Sequence, residues 1–115
     1  MDSSSFAKYT TIENITKGGY GKQNVRVLGV LSHVDPQNHV WIIESQNSKI
    51  EVEVSDELSN TAVQGMYVQV YGTVFLGSMS PRIIAKFITK MNGVDEAAYN
   101  FAVEMYRKYM PSHCV

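Results

Sequence analysis

Apolar residues gather in five short stretches between residues 25 and 90, which indicates five β-strands. The stretches are residues 25–34, 39–45, 49–54, 66–75 and 81–90. Alternation of apolar and polar positions is clearest in the third, where Ile50, Val52 and Val54 share one side. In the fifth stretch the same alternation places Phe87 on the side of Ile83. Residues 35–38, Asp-Pro-Gln-Asn, form a turn by composition.

Closely spaced short strands of this kind predict a small, mainly β barrel. Gly29 and Gly72 lie inside strands, where each can supply the bulge or bend that closing five strands requires. Three strands, a linker, two strands and a helix fit a five-stranded OB-fold barrel with a C-terminal amphipathic α-helix. An SH3-like barrel is the alternative, but its strand layout matches less well. We predict an N-terminal arm (residues 1–24), an OB-fold barrel (25–92) and a C-terminal oligomerisation helix and tail (93–115).

The C-terminal helix has an apolar face that is wider than its own domain requires. Its apolar residues span roughly 200° at about 100° per residue, whereas covering a core takes a stripe of about 100°. Asp95 is a suitable N-cap, and Pro111 ends the helix. We therefore predict that one side packs on the barrel and the other binds a partner. A helix that only plugs an open barrel end is the alternative.

The prediction assigns different residues to the two sides of the C-terminal helix. Phe101 and Met105 are assigned to the barrel. The partner side consists of Tyr99, Ala102, Val103, Tyr106, Tyr109 and Met110. Aromatic anchors of this kind commonly dominate the energetics of protein interfaces.

Charge is distributed unevenly along a chain whose net charge is −1. Residues 1–34 and 81–115 each carry +2, whereas residues 35–80 carry −5. The middle of the chain therefore repels a phosphate backbone, and the flanks attract it weakly. The single cysteine, Cys114, excludes a disulfide within the chain, which fits a reducing compartment. We see no signal peptide or membrane-spanning run, so no membrane association is expected.

No catalytic constellation can be assembled from the sequence. His33, His39 and His113 are far apart, and none has metal-ligand spacing with a cysteine. The outward pair Glu51 and Glu53 is typical of a solvated strand face. We therefore expect no enzymatic activity, no metal and no cofactor.

Single-strand binding is the serious chemical option, because OB-folds stack bases on aromatic rings and track the backbone with cations. Trp41 is a candidate stacking platform and, alternatively, a packing residue, while Arg82 and Lys86 can supply charge. The third strand is acidic on its outward side, and the loops at 35–38 and 76–80 lack basic and aromatic residues. We expect the domain alone to bind single-stranded DNA weakly.

Four segments give the chain a likeness to a known family. They are VLGVL at residues 27–31, IEV at 50–52, VQVYGTV at 68–74 and the helical region at 95–111. In this order and spacing the chain resembles the smallest subunit of replication protein A, the heterotrimer that binds single-stranded DNA. The likeness runs from about residue 15 to residue 112.

The resemblance implies a structural subunit of a nuclear complex acting in DNA replication, repair and recombination. Its C-terminal helix would join helices of the large and middle subunits in a three-helix bundle, and single-stranded DNA would be bound mainly through those partners. Telomere-maintenance complexes of the same plan, CST-like or telomerase-associated, are the alternative. A free-standing single-strand nucleic-acid-binding OB module is the rival from another class.

Overall fold

The computed structural model describes residues 8–55, 63–76, 80–91, 93 and 95–109 of the 115-residue chain. Six strands and two helices lie in this part. In chain order they are β1 (Lys8–Tyr9), α1 (Ile12–Thr16), β2 (Asn24–Asp35), β3 (Val40–Ser45), β4 (Ser48–Glu53), β5 (Tyr67–Leu76), β6 (Pro81–Lys90) and α2 (Glu96–Tyr109).

Strands β2 to β6 form a closed barrel. The sheet order is β1-β2-β3-β4-β6-β5, and β5 pairs again with β2 to close the ring. The β4–β6 pairing is parallel, whereas the other pairings within the ring are antiparallel. This is the OB-fold, so the predicted mainly β barrel with a C-terminal helix is confirmed, and each predicted strand agrees within one residue at either end.

The barrel core consists of the inward-facing residues of all five strands. The alternation seen in the sequence is the reason, since every second residue of β3 and of β5 is buried. Trp41 is the largest fully buried side chain and lies among Val and Ile residues. Burying one such aliphatic side chain contributes about 1.5–3 kcal/mol. The core is therefore the main source of stability for a domain of this size.

Residues 8–24, which belong to the segment predicted as an arm, contact the barrel. Helix α1 begins after Thr11, whose Oγ1 accepts a hydrogen bond from the backbone N–H of Asn14 at 3.2 Å. The helix packs against β2, β3 and β4. It buries Ile12 and Ile15 in the core, at 0% and 1% exposure. The division of the chain at residue 24 stays a prediction, but these two side chains complete the barrel interior.

Two irregularities in strand pairing bend the sheet into a ring. One lies in β2 between Leu31 and His33. The other lies between β5 and β6, where Tyr71 pairs with Phe87 but the next residue of β5, Gly72, pairs with Ala85. The prediction that Gly72 marks a bulge or bend is therefore confirmed. The extra residue at this bulge is residue 86 of β6.

The bulge overturns the sequence prediction for Phe87. Simple alternation places Phe87 on the side of Ile83, but Ile83 is buried and Phe87 is 68% exposed. An extra residue in a strand shifts the period of two by one position, so residues beyond it change sides. Ile88 accordingly packs against the core in place of Phe87.

Gly72 is the residue that permits this bulge, and we predict that Gly72→Ala destabilises the barrel. A Cβ at position 72 would lie 2.8 Å from Ile83 Cγ2 and closer still to the backbone oxygen of Ile84. Backbone atoms in a closed ring have little room to shift. Gly72→Ala should therefore lower the free energy of unfolding by about 1–3 kcal/mol, measured by urea denaturation.

Gly21→Ala is the matched control for this measurement. A Cβ at Gly21 would approach Leu76 Cδ1 at 2.6 Å, but Leu76 is 60% exposed and its side chain can rotate away. The change in unfolding free energy should stay within about 0.5 kcal/mol. Equal effects of the two substitutions would contradict the assignment of Gly72 to a constrained bulge.

Candidate interaction surfaces

Helix α2 begins at the cap that the sequence predicts. Asp95 Oδ1 accepts a hydrogen bond from the backbone N–H of Ala98 at 3.1 Å, and the Asp95 carbonyl accepts one from Tyr99 N–H at 2.9 Å. The carboxylate also places negative charge at the positive end of the helix dipole. The start of the helix is therefore defined by its own sequence, independently of any partner.

One side of α2 packs on the outside of the barrel over β2 and β1. Val103 is 4% exposed, and Asn100, also 4% exposed, donates from Nδ2 to Ser45 Oγ at 3.2 Å. Asn14 Nδ2 donates to Glu104 Oε1 at 2.8 Å and so links α1 to α2. These contacts fix the rotation of the helix about its axis.

Tyr99 also belongs to the barrel side, although it was predicted to bind a partner. Its hydroxyl oxygen accepts a hydrogen bond from Gln69 Nε2 on β5. Burial raises the pKa of the Tyr99 phenol above its ordinary value near 10.0, and the hydrogen bond from Gln69 opposes that shift. The phenol is therefore neutral at physiological pH, as its half-buried position requires.

The opposite side of α2 is apolar and faces away from the barrel. This outer face of α2 consists of Ala98, Phe101, Ala102 and Met105, which fall within about 100° at 100° per residue. Phe101 is 67% exposed, both alanines are exposed and Met105 is half-buried. The assignment of Phe101 to the barrel is thus wrong. Asn100, although polar, lies on the barrel side.

A shallow apolar groove lies beside this outer face. Its volume is about 200 Å³, and it is lined by Tyr9, Tyr99, Ala102, Val103 and Tyr106. Tyr106 is 40% exposed and packs edge-on against Tyr9 with ring centroids 5.9 Å apart. Ala102 belongs to both surfaces, so the groove and the outer face of α2 form one continuous apolar region.

The six residues predicted to bind a partner are thus distributed over different environments. Ala102 and Tyr106 are exposed, whereas Val103 is covered by its own domain and can add little new surface to an interface. Met110 and the side chain of Tyr109 lie outside the described residues. Sequence reasoning missed Tyr9, because it lies in the segment taken as an arm.

The three residues predicted for weak nucleic-acid binding do not form one site. Trp41 is 0% exposed, so its ring packs in the core and cannot stack with an external base. Arg82 Nη1 lies 2.8 Å from Glu53 Oε1 in an ion pair across the β4–β6 pairing. The Arg82 guanidinium also lies 5.6 Å from the centroid of the exposed Phe75 ring. Lys86 lies on a different exposed surface that carries aromatic side chains.

That surface is built on one cross-strand row, which we call the Tyr71 rung. In the strand registers Tyr9 pairs with Arg26, Arg26 with Tyr71, and Tyr71 with Phe87, so one residue each from β1, β2, β5 and β6 stands in line. The Arg26 guanidinium lies 5.7 Å from the Tyr9 ring centroid and 5.1 Å from that of Tyr71. The Tyr71 and Phe87 centroids are 5.7 Å apart.

Acidic and basic residues are segregated between the two sides of the barrel. Strands β5 and β6 contain no Asp or Glu, and β2 has only Asp35 at its end, where Asn38 lowers the pKa of that carboxyl by hydrogen bonding. Strands β3 and β4, in contrast, carry Glu44, Glu51 and Glu53. The β3–β4 face is therefore acidic and the face carrying the Tyr71 rung is basic.

Within the described residues, no cluster of three or more His, Cys, Asp or Glu side chains could hold a metal ion. In the same part of the chain, neither helix is long and apolar enough to cross a bilayer.

The family comparison covers nearly the whole chain. A model of the Ten1 family, described as a telomere-capping CST complex subunit, matches residues 4–113. No curated protein matches the chain.

Solved structures share the fold at low sequence identity. A chain of the S. pombe Stn1–Ten1 complex has a TM-score of 0.72 at 15% identity, with 90% of this chain and 93% of that chain covered. The telomere-capping protein Ten1 from S. pombe has a TM-score of 0.69 at 16% identity, with 89% and 98% covered. A chain of U. maydis replication protein A bound to ssDNA has a TM-score of 0.73 at 14% identity, with 93% and 94% covered.

The two sides of α2 should respond differently to truncation. Val103→Ala removes buried methyl groups, so it should lower the free energy of unfolding by about 1–2 kcal/mol. Phe101→Ala removes a larger side chain from an exposed position and should change it by no more than about 0.5 kcal/mol. Urea denaturation of both variants measures the difference. A larger loss from Phe101→Ala would contradict the orientation of the helix described above.

Proposed function

The chain belongs to the Ten1 family of telomere-capping CST complex subunits, and from this premise we propose that it is a non-catalytic assembly subunit at chromosome ends. In this proposal it acts in the nucleus and joins larger OB-fold subunits through helix α2. The capping complex as a whole, rather than this chain alone, binds the single-stranded end of the chromosome.

The observation that carries the proposal is the outer face of α2. A helix that served only its own barrel would need one apolar stripe, but α2 buries one side against β2 and exposes a second apolar side. An exposed apolar patch of this kind on a soluble domain marks an interaction surface. The surface therefore supports a stable complex with another chain.

The chemistry of this face favours a helical partner. Ala98 and Ala102 are four residues apart, and so are Phe101 and Met105, so small and large side chains form two adjacent rows. A second helix can approach closely along the alanines while Phe101 inserts between its side chains. The groove beside Tyr106 offers a pocket for an apolar anchor from the same partner.

The smallest subunit of a replication protein A trimer is the second candidate. The motif order at residues 27–31, 50–52, 68–74 and 95–111 supports it, as does the shared fold. The family match supports the telomeric complex instead. Both candidates use α2 for assembly, so the identity of the partner chains separates them.

Replacing Phe101 by Asp tests the proposal. The tagged chain is purified from native extract, its partners are identified by mass spectrometry, and the OB-fold partner is then co-expressed with each variant. A charge in the centre of a desolvated interface should reduce partner recovery at least about 30-fold. Tyr106→Asp at the groove should act in the same direction.

Phe87→Asp is the matched control, because Phe87 is 68% exposed against 67% for Phe101. It lies on β6 and should leave partner recovery unchanged. Circular dichroism of the free variants verifies that each is folded. Full recovery of the complex with Phe101→Asp would contradict the proposal that α2 mediates assembly. Co-purification of replication subunits alone would favour the second candidate.

A further inference from the structure

We propose that two copies of this chain pair through the outer faces of their α2 helices when no OB-fold partner is bound. The two helices run antiparallel about a two-fold axis. This inference rests on the proposed function, because it concerns the surface that assembly uses. It adds a regulatory step to that function: a second copy covers the outer face of α2, and the partner subunit must displace it.

The outer face of α2 is complementary to itself when one helix is reversed. Ala98 lies as far before the midpoint between residues 101 and 102 as Met105 lies after it, and Phe101 and Ala102 flank this midpoint. In an antiparallel pair centred there, Ala98 of each copy lies opposite Met105 of the other, and Phe101 lies opposite Ala102. A large side chain thus meets a small one at all four positions, with the reciprocity that a two-fold interface requires. A parallel pair would instead match large with large and small with small.

The barrels do not obstruct this pairing. At 100° per residue the outer face of α2 lies about 180° from Asn100 and Val103, which face the barrel. Two helices can therefore approach to the usual interaxial distance of about 8–10 Å with one barrel on each far side. Phe101 is 67% exposed and both alanines are exposed, so a second copy can reach them.

Charge also favours the antiparallel orientation. Asp95 and Glu96 lie at the start of α2, and Lys108 lies in its last turn. Reversal of one helix brings the acidic start of each copy to the basic end of the other, and it opposes the two helix dipoles. A parallel pair would place like charges together at both ends. The orientation that matches side-chain sizes therefore also matches charge.

The pair is small, so its association is weak and reversible. Helix α2 has 14 residues and is about 21 Å long. Four side chains from each copy bury less than about 1,200 Å² in total, which is the range of transient complexes. A partner that also fills the groove lined by Tyr9 and Tyr106 buries more surface and can displace the second copy. Self-pairing thus covers the apolar face of unassembled chains without blocking assembly.

Sedimentation equilibrium of the isolated full chain over about 1–300 µM tests self-pairing, because an interface of this size predicts micromolar or weaker association. The dimer fraction should rise with concentration. Phe101→Asp should weaken dimerisation at least about 10-fold, because it places a charge at the centre of both helices. Phe87→Asp, at an equally exposed position on β6, is the matched control and should leave dimerisation unchanged. Circular dichroism verifies that both variants are folded.

Cysteine cross-linking tests the orientation of the pair, with Cys114→Ser as the background. Ala102→Cys should give a disulfide-linked dimer in a glutathione redox buffer, because the two copies of residue 102 lie beside the two-fold axis with Cα atoms about 6 Å apart. Ala98→Cys is the matched control, since residue 98 is exposed on the same face. Its two copies are separated by about 10 Å along the helix axes, so it should not cross-link. Co-expression of the OB-fold partner should abolish the Ala102→Cys cross-link.

Four results would overturn the proposal. They are a monomer at every concentration, equal effects of Phe101→Asp and Phe87→Asp on dimerisation, equal cross-linking of Ala98→Cys and Ala102→Cys, or a cross-link that persists with the partner bound. Dimerisation and partner recovery are separate measurements. A monomeric chain that still recovers its partner leaves the assembly proposal standing. A dimeric chain whose Phe101→Asp variant retains its partner contradicts the assembly proposal instead.

Discussion

Closure of five short strands into a ring is the constraint on which the rest of this structure depends. Strand β2 pairs with β3 and with β5, so it belongs to two parts of the sheet at once and must coil strongly. The ring tolerates this only with irregular pairing near residue 32 of β2 and at residue 86 of β6. The absence of a side chain at Gly72 makes room for the second bulge. The demand for curvature thus decides which side chains of β6 face solvent.

The barrel could be predicted from the sequence because its cause is local. Burial of every second residue gives β3, β4 and β5 a period of two in the sequence, and turn residues separate the strands, so the strand bounds could be predicted closely. Phe87 could not be placed in the same way. Its side depends on a bulge whose position is set by the pairing of β5 with β6, which are separated along the chain. Gly72 was the one local signal, and it indicated a bend without saying which neighbouring residue would turn outward.

For helix α2, too, only part of the structure could be predicted from the sequence. The width of the apolar arc indicated two contact surfaces, because this angular width depends only on the sequence and not on what the helix packs against. The direction of docking could not be read from it. That direction depends on polar contacts of Asn100 with Ser45 and of Glu104 with Asn14, partners that lie 55 and 90 positions away in the sequence. Asn100 is polar, so a hydrophobicity pattern cannot indicate that it is buried. Ile12 and Ile15 are apolar but isolated among polar neighbours, so the sequence did not indicate that they lie in the core.

Strand β1 is two residues long, and this has a consequence for the subunit before it meets its partners. An exposed strand edge is a template on which other chains can add strands, a route to aggregation. Strands β2 to β6 pair around the ring, and among the described strands the only one outside it is β1, too short to template a further sheet. The exposed apolar side chains of the free subunit lie on α2 and on the outer sides of β5 and β6. Within the described residues, surplus copies can therefore meet through these side chains but find no strand edge longer than β1 on which to extend a sheet.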